Sequence, residues 1–323
     1  VFAYTIRRAL SGLVMLVVLT FVTYVVFFQI PANPGRYLTG LVATNAQLAA
    51  ADRKLGLNHP WWVQYLRYLG GLLHGQMGTS YASQEPVSSI IRAALPITAS
   101  VVVGGAVVML AAALLLGVFS ALRPDTFADR SLNGLVMAGV ALHPIIVGLL
   151  LEALFVRTLP LAPTGGYCSP VGASGCGVGR WAAHLALPWI TFALYLLPNY
   201  ARVLRARTLD VMNQPHVTAA RARGASERRV LWSHVLPFLV PTTVTMLAVD
   251  MSTALMAAIY IEAVFDLPGL GTTALIAQQG DIGFDLPVIV GIVTVVATAV
   301  IVFNVVADVV AARADPRIRI GRR

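Results

Sequence analysis

The sequence predicts an all-α integral membrane protein with six transmembrane helices, and three observations carry the prediction. The 323-residue chain is 58% hydrophobic and only 11% charged, too little polar surface for a soluble domain of this length. Six apolar runs are long enough, or nearly so, to cross a hydrocarbon core roughly 30 Å thick as helices. The runs lack the alternating pattern of a barrel, and in lipid only helices and closed barrels satisfy their own backbone hydrogen bonds.

The first run spans about 10–30, after Arg7 and Arg8. No small-residue cleavage site follows it, so it is expected to stay as a membrane helix rather than be removed as a leader. Residues 31–96 form the largest segment outside the apolar runs. Within it, LGLNHPWWVQYLRYLGGLLHG reads as an amphipathic helix whose Trp and Tyr rings suit a membrane interface. It is either an external cap that helps dock a substrate-delivery protein or a surface helix packed on the bundle, and both can hold. The next spans are expected at about 97–122, 132–155, 185–207, 235–261 and 286–310. The 185–207 run is interrupted by Pro188 and Pro198 and is expected to continue into the arginines after Ala201. His143-Pro144 and Pro198-Asn199 are expected to kink their helices, since an internal proline removes a backbone donor. Such kinks serve as hinges or simply shape the bundle. The whole chain reads as one transmembrane domain, without internal repeats.

Charge placement predicts sidedness. With the N-terminus inside, sixteen of the 23 Lys and Arg fall on the cytoplasmic side. The loop between the fifth and sixth spans, on the other side, carries Glu262, Asp266, Asp281 and Asp285 and no basic residue. That matches the positive-inside tendency and puts both termini in the cytoplasm. The net charge of +9 is therefore topological and does not point to nucleic acid.

The cytoplasmic loop 208–234 is the most informative stretch. HVTAARARGASERRVLWSHVLPFLVP predicts helix, turn, helix. Gly224 permits the turn, Ser226 is placed to cap the next helix, and Glu227 sits where the helix dipole favours an acid. Ala219 and Ala220 leave little bulk, so a partner could approach the backbone closely. A solvated loop with no partner is the alternative that charge alone would leave.

Thr218-Ala219-Ala220, then Gly224, then Leu236-Pro237 resemble the EAA loop of ABC importer permeases. The spacing is intact, with Thr218 in place of the usual Glu and His234 in place of an aliphatic residue. The resemblance narrows to the dipeptide/oligopeptide permease branch (its B-type subunit). Arg7-Arg8, Leu55-Gly56-Leu57 with Pro60 and Trp62-Val63-Gln64-Tyr65-Leu66, Gly78, Ser80, Pro86-Val87, Glu262-Ala263-Val264-Phe265, Pro268-Gly269-Leu270-Gly271, Asp308 and Asp315-Pro316-Arg317-Ile318 carry it. Pro31-Ala32-Asn33-Pro34 and the longer, cysteine-bearing loop from Thr164 to Arg180 depart from it.

The resemblance implies a permease subunit of an ATP-driven peptide importer in the bacterial plasma (inner) membrane. Its partners would be a second homologous permease, two ATPase subunits or a fused ATPase, an extracytoplasmic substrate-binding protein and membrane lipid. ATP and Mg would bind the ATPases, and this chain would bind no cofactor. Thr218, Ala219, Ala220, Gly224, Ala225, Ser226, Glu227, Arg228, Leu236 and Pro237 would form the ATPase-coupling element. Nickel chelates, glutathione or another small solute are alternative cargoes on the same scaffold. A proton-coupled secondary transporter is the alternative of a different class.

Enzyme signatures are missing from the sequence. Lys54 is the only lysine and is followed by Leu55, so no phosphate-cradling P-loop is present. Neither an HExxH zinc motif nor a Gly-x-Ser-x-Gly elbow occurs. Cys168 and Cys176, in a loop expected outside, are placed for a disulfide in an oxidising compartment, with two free thiols as the alternative. Glu152 and Asp250 fall inside apolar spans, where ionisable groups are costly and usually face the bundle interior or water. They, with Asn199, are candidates to line the solute path. A purely structural role for the acids is the competing reading.

Overall fold

The computed structural model describes residues 2–26, 59–124, 143–163, 165–170, 175–279 and 284–314, with isolated positions between 126 and 139. The expectations for 27–58, for most of 132–142 and for the tail from Asp315 lie outside the described residues. Those include the Leu55-Gly56-Leu57 and Pro31-Ala32-Asn33-Pro34 motifs and the last four arginines.

Helices run in the order α1 (Phe2–Tyr24), α2 (Trp61–Leu73), α3 (Val87–Leu122), α4 (Pro144–Glu152), α5 (Gly177–Met212), α6 (Pro215–Ala222), α7 (Glu227–Val230), α8 (Leu236–Val264), α9 (Leu270–Gln279) and α10 (Leu286–Ala314). Among the described residues, π-helical turns follow α4 at Ala153–Thr158 and precede α8 at Leu231–Val235. Among the described residues the only β pairing is a lone bridge between Thr79 and Pro86. Among the described residues, five helical stretches are long and apolar enough to span a membrane: Ile6–Tyr24, Val87–Leu122, Gly177–Met212, Glu227–Met251 and Leu286–Val309. Only the second half of the remaining expected span, from Pro144 onward, falls within the described residues.

The chain divides into two compact units. One comprises 2–98 and 268–302. Its core joins Val87, Ile91 and Ala94 of α3 to Leu270 and Ala277 of α9 and to Val288, Ile289 and Ile292 of α10. The amphipathic helix α2 lies against α1 through aromatic rings, with Phe21 and Tyr65 edge to face at 5.4 Å. The Tyr24 hydroxyl donates to Gln64 Oε1 at 3.0 Å. Burial raises the pKa of the Tyr68 phenol, opposed by its hydrogen bond with Thr294.

A buried carboxylate pins the turn before α3. Asp285, 6% exposed, accepts from Ser80 Oγ at 2.5 Å and from the backbone N–H groups of Tyr81 and Ala82 at 3.1 and 3.3 Å. Three donors meet the requirement that a buried charge be hydrogen-bonded. Burial pushes the Tyr81 phenol up to about 12, and the Asp285 charge adds to the shift.

The other unit comprises 99–267 with the end of α10. Small residues on α3 let α5 approach closely, as is common between helices in lipid. A Cβ at Gly104 or Gly105 would overlap Trp189 or Phe192, and one at Gly117 would press on the Ala201 carbonyl.

The prolines behave differently from one another. At His143-Pro144 a helix starts afresh instead of kinking. His143 is extended (φ −72°, ψ 144°), its ring nitrogen accepts from Ile145 N–H at 3.4 Å, and Pro144 opens α4. A residue before proline is driven out of the α region, and proline fits the first helical turn, where its missing N–H costs nothing. Pro188 and Pro198, by contrast, stay inside one continuous 36-residue helix that runs past Ala201 to Met212. The helix thus continues through Pro198-Asn199 and past Ala201, as expected for this run. Both prolines are buried among neighbouring residues, and packing of that kind tolerates a lost backbone bond in a membrane helix.

Candidate coupling hairpin and polar cavity

The basic loop folds as a compact hairpin at the end of α5. Pro215 opens α6, and Gly224 takes φ +82°, a left-handed conformation that glycine adopts at little cost. Gly224 N–H donates to the Arg221 carbonyl at 2.9 Å, and Ala225 N–H to the Ala220 carbonyl at 3.2 Å. Ser226 caps α7, its hydroxyl accepting from Arg229 N–H at 3.4 Å, with Glu227 in the first turn. The second arm continues as a π-helical turn to Val235 and passes into α8 at Leu236-Pro237.

Five residues hold the hairpin together. Val211, Val217, Ala220, Val230 and Val235 form a small apolar core. This corrects one expectation. Ala219 and Thr218 are exposed, but Ala220 is buried, because Val217 and Ala220 are three apart on a helix and both face that core. The outward face therefore carries Thr218, Ala219, Gly224, Ser226, Glu227 and Arg228, with Ala225 half-buried.

Two side-chain contacts brace the hairpin. Arg221 grips Glu227 with both guanidinium branches, Nε to Oε1 at 2.8 Å and a terminal nitrogen to Oε2 at 3.0 Å. Hydrogen bonding to Arg221 lowers the Glu227 pKa, and the same bond raises that of Arg221. Thr218 carries no charge, and the turn's ion pair is made by these two residues instead. His216 stacks on Phe238 at 4.8 Å, and its Nε2 donates to the His234 carbonyl at 3.2 Å. That ring ties α6 to the first turns of α8. The sequence alone did not single it out.

A second feature lies between α5 and α8. Asn199 and Arg207 of α5 face Thr242, Thr245, Met246 and Asp250 of α8 across an open cavity of about 490 Å³. The α8 residues fall at helical spacing on one face. The buried Tyr200 hydroxyl lies beside Asp250 without hydrogen-bond geometry to it. The cavity unites two of the three residues expected along a solute path and adds Arg207, which sequence reading had assigned to topology.

Glu152 is not among the cavity residues. Its carboxylate accepts from Arg157 at 3.0 Å. In an α-helix residues five apart point to different sides, but the π-helical turn that begins at Ala153 has a five-residue hydrogen-bond period and aligns them. Cys168 and Cys176 are joined as a disulfide.

With this geometry in place, comparisons with known proteins converge. Residues 113–320 match the family model "Binding-protein-dependent transport system inner membrane component". Residues 1–102 match "Binding-prot-dependent transport system membrane comp, N-term". A Brucella ovis protein named "Putative peptide permease protein" is 32% identical to this chain, over 98% of this chain and 99% of its own length. The oligopeptide transport system permease protein AppB of Bacillus subtilis is 31% identical over the same shares. The "Probable D,D-dipeptide transport system permease protein DdpB" of Escherichia coli is 28% identical, over 97% and 96%.

Proposed function

We propose a function from one premise: the chain belongs to the family of binding-protein-dependent transport system inner membrane components. It is a multi-pass permease subunit of an ABC transport system in the inner membrane, and not itself an enzyme. Our reading is that it imports dipeptides or oligopeptides as half of a permease pair. The carrying observation is that peptide permeases match it over nearly their whole length and its own.

In this reading both termini are cytoplasmic and the hairpin 208–234 meets an ATPase subunit. ATP and Mg act on the ATPases, whose closure pushes on Thr218, Ala219, Gly224 and their neighbours. His216 and the Val211–Val235 core pass the movement into α5 and α8. Those two helices line the cavity holding Asn199 and Asp250, which we assign to the solute path. Glu152, paired with Arg157, is assigned a structural role. An extracytoplasmic binding protein delivers the peptide on the opposite side.

The test is growth on defined peptides of a strain that lacks only this chain and has no redundant importer. The expected result is loss of uptake for a set of short peptides, restored by the intact gene. Normal uptake of every peptide, with loss of a nickel chelate or glutathione instead, would transfer the assignment to that cargo. Co-purification of an ATP-hydrolysing subunit is expected. Transport by the lone chain on a proton gradient would contradict the reading.

A further inference from the structure

The charges of the polar cavity stand at its two ends. Helices α5 and α8 run antiparallel: Tyr200 lies beside Asp250, while Val211 and Val235, at the hairpin end, share one core. Arg207 stands seven residues beyond Tyr200 toward the hairpin, about 10 Å along the axis at the α-helical rise. Neither Arg207 nor Asp250 has an ion-pair partner among the described residues. The Tyr200 hydroxyl next to Asp250 is likewise buried without a hydrogen-bond partner. The wall between the charges mixes Thr242 and Thr245 with Met246. The volume of about 490 Å³ falls within the range of small-ligand sites.

An unpaired ionisable group within an apolar span is costly, and one that persists marks a place where something of opposite charge is met. Here one such group, Asp250, shares its cavity with an exposed arginine, Arg207, at the hairpin end of α5. That axial offset of about 10 Å corresponds to roughly three residues of extended chain at about 3.3–3.6 Å each, the length of a short zwitterionic peptide. We infer that this cavity is a subsite that reads the free ends of short peptides. Arg207 takes the terminal carboxylate, for which its planar fork is suited. Asp250 takes the terminal ammonium, and the Tyr200 hydroxyl turns to donate to the Asp250 carboxylate. Asn199 meets the peptide backbone with an amide that both donates and accepts. The inference rests on the peptide reading above and deepens it: a bare passage would need no such charges, whereas this one distinguishes free termini from blocked ones.

The test uses the whole permease–ATPase complex, purified without the binding protein so that delivery cannot impose its own selection. Equilibrium dialysis measures binding of trialanine, N-acetyl-trialanine and trialanine amide. The wild-type complex is expected to hold trialanine at least about tenfold more tightly than either blocked form, as charge-assisted hydrogen bonds imply. Asp250→Asn should lose the preference over the N-acetyl form only. Arg207→Gln should lose the preference over the amide only. General misfolding cannot produce that crossed pattern. Absent binding, equal binding of all three peptides, or the same loss for all three in both variants would each overturn the subsite. Uptake of trialanine by the full importer is measured alongside. Uptake without discrimination in dialysis removes the subsite and leaves the peptide assignment standing, while failure to take up any peptide removes both.

Discussion

Two turns in this chain are each held by a carboxylate, and they are built in opposite ways. At the turn before α3, Asp285 is buried and receives three donors, one hydroxyl and two backbone N–H groups. At the hairpin turn, Glu227 is exposed and receives one arginine. A buried, hydrogen-bonded carboxylate fixes its surroundings, because removing it leaves the buried Ser80 and Tyr81 donors without their acceptor. An exposed pair is screened by water and salt and adds little. The first turn is thus a rigid anchor. The second is a surface whose outer face is free to be gripped, held in shape by its valine core and by one glycine.

The largest expected effect follows from Asp285→Ala. It leaves the Ser80 hydroxyl and two backbone N–H groups without their acceptor, at a cost of roughly 3 kcal/mol or more. The midpoint of thermal unfolding of the detergent-solubilised protein should fall by several degrees, with Asp285→Asn intermediate. An unchanged midpoint would erase the distinction between the two turns.

Alkaline titration sharpens the same contrast. The Tyr81 phenol is raised from 10.0 to about 12 in the folded chain, so folding favours its neutral form. Its contribution is fully present below pH 10 and is lost as pH rises through about 12. Ultraviolet titration of wild type against Tyr81→Phe should reveal one late-ionising phenol, with loosening of this turn in the same window. Ionisation of Tyr81 near pH 10 would mean the anchor is open to water.

Those contacts were only partly legible in the sequence. The hairpin was, because Gly224, Ser226 and Glu227 are local signals whose meaning is set within a few residues. The anchor was not: Asp285 counted only as outer-loop charge, and its donors lie some two hundred residues away in the chain. Arg207 read as topology because the sequence does not reveal which face of α5 meets α8. Glu152 read as a path residue because its partner Arg157 sits at a spacing that only a π-helical turn aligns. Proline signals were ambiguous for a related reason. Pro144 begins a helix after an extended residue, while Pro188 and Pro198 are absorbed where packing surrounds them. Burial of Ala220 followed from a valine core whose members span both arms of the hairpin.

The smallest expected effect belongs to the exposed pair. Arg221 holds the Glu227 carboxyl below its ordinary value of 4.5, so folding favours the charged acid. That contribution is present above pH 4.5 and fades as pH falls through the lowered value. Hydrogen exchange at residues 221–229 should quicken slightly in Arg221→Gln at neutral pH, and high salt should narrow the difference. A large, salt-independent change would show this turn to be anchored as firmly as the other.

The central claim is that the hairpin passes force from an ATPase to the membrane helices, and substitution at Gly224 tests it most directly. No neighbouring atom lies within 4 Å of a Cβ placed there, yet its φ is +82°, so the strain is one of backbone conformation alone. Asn tolerates that region and a β-branched residue does not. In the assembled importer, Gly224→Asn should keep ATPase docking and peptide uptake, while Gly224→Val should lose uptake and weaken docking. Undiminished docking and uptake in Gly224→Val would contradict the account.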